Sequence, residues 1–275
     1  MRKLLFLSLS CLIANLVLAA DTATPATLCS MQATPVECSS KLSFALTLDF
    51  ESVYVDQGIK ANGATFQPSL QVNYPLYKGS LYGIAWMNDP LSTKSGAGED
   101  FYQKSDITLG YKLPTNGKYT WDVGAIYHWY PLNSHGSEEN RTREFYTGVA
   151  YDGLFVNPTV YLFYDIDEQK LSLELSGCHS YDLAKTGLRK TSLDLGALVG
   201  YSSSTEVNGE QIGDNAHDGY AYYNLTADLV YHLNENDSAA IGIRYGGNND
   251  HLNTGNPNLD REGIFYWGAK LSLGF

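Results

Sequence analysis

The sequence predicts an all-β chain, folded as a transmembrane antiparallel β-barrel of about 12 strands with both termini in the periplasm. Three observations predict it. In the final stretch, Phe265, Trp267, Ala269, Leu271, Leu273 and Phe275 share one face and Tyr266, Gly268, Lys270, Ser272 and Gly274 the other, the period of two that marks a strand. Segments with the same alternation recur along the chain, separated by turn residues. The connections also sort by length: those after even-numbered strands are turn-like, and most of those after odd-numbered strands are long and polar. That asymmetry is expected of barrels with short periplasmic turns and longer external loops. An edge strand of a soluble sandwich accounts for one amphipathic segment, but a sandwich has no reason to order its loops in this way.

Composition agrees with the class. The chain has 275 residues with 13% aromatics, 21 Tyr and 26 Gly, which leans towards β-structure. Arg2 and Lys3, then an apolar run from Leu4 to Leu18 and Ala19-Ala20, read as a secretory signal peptide over residues 1–20. Beyond it no run is long enough for a helical span of about 18 residues. A slightly negative mean hydropathy suits a barrel, because lipid-facing residues alternate with polar ones. Of 18 basic residues, 16 remain after Arg2 and Lys3 against 30 acidic ones, a balance that argues against a nucleic-acid partner.

Residues 21–40 lack periodicity and form a short polar leader. Within it Cys29 and Cys38 are expected to close a disulfide loop in an oxidising compartment. Their spacing, without nearby His, gives no metal site, and Cys178 is left as a strand residue. The barrel is expected over residues 41–275.

The first strand is expected from Leu42 to about Gly58, with Leu42, Phe44, Leu46, Leu48 and Phe50 opposite Ser43, Thr47, Asp49 and Glu51. The second, about Thr65 to Tyr77, sets Phe66, Leu70, Val72, Tyr74 and Leu76 against Gln67, Ser69, Gln71 and Asn73, and Lys78-Gly79 turns it. The third, Leu81 to about Met87, has Tyr82, Ile84 and Trp86 on its bulkier face. After the polar segment Asn88 to Glu99, the fourth opposes Phe101, Ile107, Leu109, Tyr111 and Leu113 to Lys104, Asp106, Thr108 and Lys112. Pro114-Thr115-Asn116-Gly117 then reverses the chain. The fifth, Tyr119 to Tyr130, places aromatics at both ends of an apolar centre, the pattern of two interfacial girdles.

The sixth strand carries Phe145, Val149 and Tyr151 outward and ends at a tight turn, Asp152-Gly153. The seventh is about Thr159 to Asp165 and the eighth Lys170 to Tyr181, with Ser172, Glu174 and Ser176 inward. The ninth turns out Leu193, Leu195, Ala197, Val199 and Tyr201. The stretch Ser202 to Gly219 is the longest polar one. The tenth, Tyr220 to Leu233, sets Tyr222, Asn224, Thr226, Asp228 and His232 inward, and the eleventh runs from Ala239 to Tyr245.

A lumen of this width is sterically suited to small solutes. Pattern places Asp49, Glu51, Asp106, Asp122, Glu144, Asp152, Glu174, Asp194 and Asp228 inward against Lys104, Lys112, Arg244 and Lys270. Such an excess of carboxylates favours cations or neutral solutes; alternatively the carboxylates satisfy Lys, Arg and Tyr partners in a closed lumen. Inward Tyr146, Tyr161, Tyr222 and Tyr266 stack on a solute or fill space. For catalysis, His179-Ser180 is the only adjacent His/Ser pair on a strand, and its members face opposite ways. The sequence shows no phosphate loop, no metal-ligand spacing and no Cys-x-x-Cys; neither a cofactor nor enzymatic activity is expected.

The C-terminal strand, with Trp267, Gly268, Leu271, Leu273 and the final Phe275, resembles the signal read by the outer-membrane barrel assembly machinery. Ser52-Val53-Tyr54-Val55-Asp56-Gln57-Gly58-Ile59, then Pro68, Gln71 and Tyr82-Gly83-Ile84-Ala85-Trp86, resemble the opening of the TorF-type porin family, departing from it at Val53 and Gln57. The resemblance covers about a sixth of the chain and implies an outer-membrane barrel acting as a channel. The expected partners are outer-membrane lipids, the assembly machinery and a small-molecule solute. The competing classes are a barrel enzyme acting on lipids and a closed structural or adhesive barrel.

Overall fold

The computed structural model describes residues 42–91, 103–115, 118–131, 141–203, 206–207, 210–211, 219–249 and 263–275. Twelve strands form one ring: β1 Ser43–Glu51, β2 Thr65–Leu76, β3 Gly79–Pro90, β4 Lys104–Thr115, β5 Tyr119–Trp129 and β6 Arg141–Tyr151, followed by β7 Thr159–Asp165, β8 Lys170–Asp182, β9 Thr191–Ser202, β10 Tyr220–His232, β11 Ser238–Asn248 and β12 Ile264–Gly274. Each pairs antiparallel with its sequence neighbours, and β1 closes on β12 with Leu46 opposite Leu273 and Glu51 opposite Gly268. Closure satisfies every strand edge, the condition for β-structure in a bilayer. The leader with Cys29 and Cys38, Phe101, and most of the two long polar segments lie outside the described residues.

The period of two is resolved into two surfaces. Leu109, Val123, Phe145, Leu173, Val199, Leu225 and Ile241 are exposed on the outer wall, where lipid would meet them. Exposed aromatics lie towards both rims, with Tyr119 and Trp121 at one end of β5 and Tyr127 and Trp129 at the other. Tyr119 packs on Tyr151 at 4.7 Å between ring centroids. The inner wall is buried and largely polar.

Several boundaries differ from expectation. The first barrel strand stops at Glu51, seven residues early, and the chain instead forms a two-stranded ribbon, Tyr54–Asp56 against Ile59–Asn62. Gln57 and Gly58 join its strands with positive φ of 45° and 77°, the twist of a type I′ hairpin turn. The connection after β6 is no tight turn at Asp152-Gly153; it runs over 152–158 and pairs onto β8 through Cys178 N–H to Val156 O at 2.7 Å. Asp152 is accordingly exposed in that connection and does not face the lumen. The bulkier face of β3 is its inner one: Tyr82, Ile84 and Trp86 are buried, the first two against rings from β6 and β7 and Trp86 against Tyr54 of the ribbon.

At the β1–β12 seam, Phe275 O accepts the Phe44 N–H at 3.0 Å and Phe275 N–H donates to Phe44 O at 2.9 Å. Its ring is 73% exposed on the outer wall. Deleting Phe275 removes two backbone hydrogen bonds, worth about 1 kcal/mol each, together with the aromatic end of the strand. We expect it to lower the amount of heat-modifiable barrel in cells more than it lowers refolding in detergent. Equal yields from truncated and intact chains would contradict an assembly role for this residue.

Candidate functional site: a partitioned lumen

The ends of the barrel differ. At the end where β2 meets β3 and β4 meets β5 through short turns, inward residues such as Asn73, Lys112, Asp194, Lys270 and Ser272 are partly exposed. At the other end Thr65, Asn88, Asp106, Ser172 and Ser202 are 0–1% exposed. The ribbon is part of the reason. It lies across the lumen and touches inward side chains on opposite walls: Tyr54 packs on Trp86 of β3, Asp56 Oδ2 lies 3.4 Å from Lys104 Nζ of β4, Gln57 Oε1 accepts from the Tyr220 hydroxyl of β10 at 3.4 Å, and Gly58 O accepts from Asn248 Nδ2 of β11 at 2.9 Å. In a ring of twelve, β4 and β10 are six strands apart. A Cβ on Gly58 would strike Gly247 O and the Tyr222 side chain, so glycine is needed for close approach as well as for its φ.

Three side-chain groups occupy the interior. Beneath the ribbon, Lys104 Nζ also lies 3.6 Å from Asp106 Oδ2, His128 Nδ1 lies 2.7 Å from Asp106 Oδ1, and His128 Nε2 is 3.7 Å from Glu144 Oε1. Burial would raise the Asp56 carboxyl, but the Lys104 ammonium beside it, with Lys170 and His128 nearby, outweighs this and holds it below the ordinary carboxylate range.

The second group is aromatic. Tyr82, Ile84, Ile126, Tyr146 and Phe163 form a buried cluster, with Tyr161 packed against it. The Tyr82 and Tyr161 hydroxyls each donate to Asp122, both at 2.9 Å, and the Tyr82 and Tyr146 hydroxyls are in direct contact. Lys112 sits 5.1 Å from the centroid of the Tyr82 ring. The rings lie flat because inward glycines leave room: a Cβ at Gly110 or Gly124 would overlap Tyr82 or Tyr146, one at Gly148 would overlap Tyr161, and one at Gly200 would overlap Tyr222. Tyr222 in turn donates to Glu174 Oε1 at 2.6 Å.

The third group centres on Arg244. Its Nε is 3.2 Å from Glu51 Oε1 and its Nη1 2.8 Å from Asp228 Oδ1. Asp49 stands opposite Lys270 across the β1–β12 pair. Gly268 is the floor under the Glu51 carboxylate, so this member of the C-terminal pattern has a packing role inside the barrel. The lumen therefore collects Asp49, Glu51, Lys104, Asp106, Asp122, Glu144, Glu174, Asp194, Asp228, Arg244 and Lys270, sorted into clusters that one-dimensional alternation does not reveal. The ribbon and the glycine slots were missed by the sequence reading. Inward Gly within strands was the available signal, since it marks close approach.

Across β9 and β10, Ser192 Oγ lies 3.4 Å from His232 Nε2, a pairing that only the fold brings together. Asp194 Oδ1 accepts from Ser192 at 3.0 Å and from Ser180 at 2.6 Å. The carboxylate thus engages the serines rather than the imidazole, unlike the order in which an acid orients a base and the base activates a nucleophile. Outside the barrel wall, Arg143 hydrogen-bonds Asp167 at 2.6 and 3.0 Å and holds that carboxyl below its usual range, as a surface clamp of small energetic value.

A closed ring with an apolar exterior, a polar interior and aromatic rims is the construction of an outer-membrane β-barrel of bacteria. Among solved structures the chain is similar to the NanC porin (11% identity, 84% of this chain and 98% of that one, TM-score 0.46). It is similar also to the KdgM porin (9% identity, 85% and 99%, TM-score 0.47) and to an outer membrane channel from Pseudomonas putida F1 (10% identity, 88% and 100%, TM-score 0.48). No protein-family model and no curated protein matches the chain. The assignment to the class rests on the strand order and the two surfaces.

Proposed function

We propose that the protein is a porin-like outer-membrane channel for the passive diffusion of small neutral or cationic solutes, of the kind implied by its resemblance to the TorF-type porins. One observation supports this most: the polar lumen is partly exposed towards the short-turn end and lined by more carboxylates than cations. In this reading that end faces the periplasm, residues 1–20 direct export, residues 21–40 form a leader bridged by Cys29 and Cys38, and the assembly machinery reads the strand ending in Phe275. Packing of the ribbon across the lumen favours a second reading, a permanently closed barrel.

Refolded protein in planar bilayers separates them. We expect discrete conductance steps, and reversal potentials under a salt gradient that indicate cation preference at low ionic strength. The preference should fade between 0.1 M and 1 M salt as the Debye length falls from about 10 Å to about 3 Å. Anion preference throughout would overturn the charge assignment.

A further inference from the structure

Asp56 brings a carboxylate of the ribbon to 3.4 Å from the Lys104 ammonium of the wall; the ribbon's other charged residue is Lys60, opposite Val55. Three cations act on Asp56, Lys104 from β4, His128 from β5 and Lys170 from β8, and each has a carboxylate of its own: Asp106 at 3.6 Å from Lys104, Glu144 at 3.7 Å from His128 and Glu168 at 3.0 Å from Lys170. These wall charges pair largely with one another, whereas Lys104 is shared between the Asp106 and Asp56 carboxylates. Together Lys104, His128 and Lys170 meet four carboxylates, Asp56, Asp106, Glu144 and Glu168, so carboxylates outnumber cations in this group. Where walls of low dielectric crowd a narrow passage, such a charge acts on every ion that passes.

We propose that the ribbon Tyr54–Asp56/Ile59–Asn62 is the constriction of the pore and that Asp56 at its tip is the residue that sets its charge preference. The proposal rests on the channel reading and adds the place where selection occurs. Ions passing from one end of the barrel to the other meet the ribbon in series with the rest of the lumen, so a charge there outweighs the same charge on a wider stretch of wall.

The test is a set of three variants in bilayers. Asp56→Asn removes the ribbon's carboxylate while Lys104 keeps its contact with Asp106, and is expected to lower the cation-to-anion permeability ratio at 0.1 M salt by at least about twofold. Lys104→Gln leaves both carboxylates without their shared cation and is expected to raise that ratio. Opposite signs distinguish selection from loosening, because either substitution breaks the same 3.4 Å contact and a merely structural tether would shift both variants alike. In the third variant a short Gly-Ser turn replaces residues 53–63. Glu51 and Thr65 are already directly paired, so the shortened hairpin can close, and conductance should rise at least about twofold. Shifts in the same direction, no shift, or unchanged conductance in the shortened barrel overturns the proposal while the channel reading stands. A correctly folded shortened barrel that never conducts overturns the channel reading itself.

Discussion

Arg244→Met is expected to destabilise the barrel by about 3–5 kcal/mol, the usual cost of removing one partner of a buried ion pair. The guanidinium is 1% exposed and bridges Glu51 and Asp228, whose side chains are themselves almost fully buried. Methionine fills much of the volume but leaves two carboxylates facing each other, with Asp49 close by. The triple variant Arg244→Met/Glu51→Gln/Asp228→Asn should recover most of the loss, since eliminating all the charges is commonly near neutral. Urea unfolding in detergent, followed by heat-modifiability on gels, measures both. If Arg244→Met costs less than about 1 kcal/mol, water rather than arginine is compensating the carboxylates at this level of the lumen.

Gly124→Val is expected to cost about 2–3 kcal/mol by overpacking, and Gly83→Val close to nothing. Both glycines are in strands and neither has a positive φ, so backbone propensity favours valine equally at each. Their surroundings differ. A Cβ at Gly124 would land on the Tyr146 ring and hydroxyl and close to Leu109 O, whereas one at Gly83 meets only Thr108 O at 3.8 Å. Displacing Tyr146 would also disturb Tyr82, which touches it and donates to Asp122. Equal stability of the two variants in urea would mean that the Tyr-on-Gly packing contributes little.

Much of the barrel was legible because the information is local. Side chains on a strand point alternately to two faces, so Phe265 and Trp267 could be sent outward and Tyr266 and Lys270 inward from the order of residues alone. The expected turn at Lys78-Gly79 falls between β2, which ends at Leu76, and β3, which starts at Gly79, whereas β4 runs through Pro114 to Thr115. The same reasoning failed where local cues were ambiguous. Tyr54, Val55 and Ile59 continue the alternation of β1 well enough to extend it, yet the Gln57-Gly58 turn folds them back. Asp152-Gly153 looked like a complete turn, yet the chain continues to Pro158 before β7 begins.

The sequence alone determined the number of strands and the two-faced pattern of most of them, consequences of a two-residue period repeated between turns, while Asp152, placed inward by pattern, lies in an exposed connection. Tertiary structure decided what the inward residues do. Arg244 finds Glu51 across 193 positions of chain, and that encounter depends on β1 closing against β12. The Tyr82 ring rests over Gly110 of the neighbouring strand, and that depends on register. The ribbon enters the lumen because Trp86, Lys104, Tyr220 and Asn248 converge on it from walls that become opposite only when twelve strands form a ring. Alternation assigns a face to each residue, but a partner across the lumen is fixed by closure, shear and register, which are properties of the whole sheet.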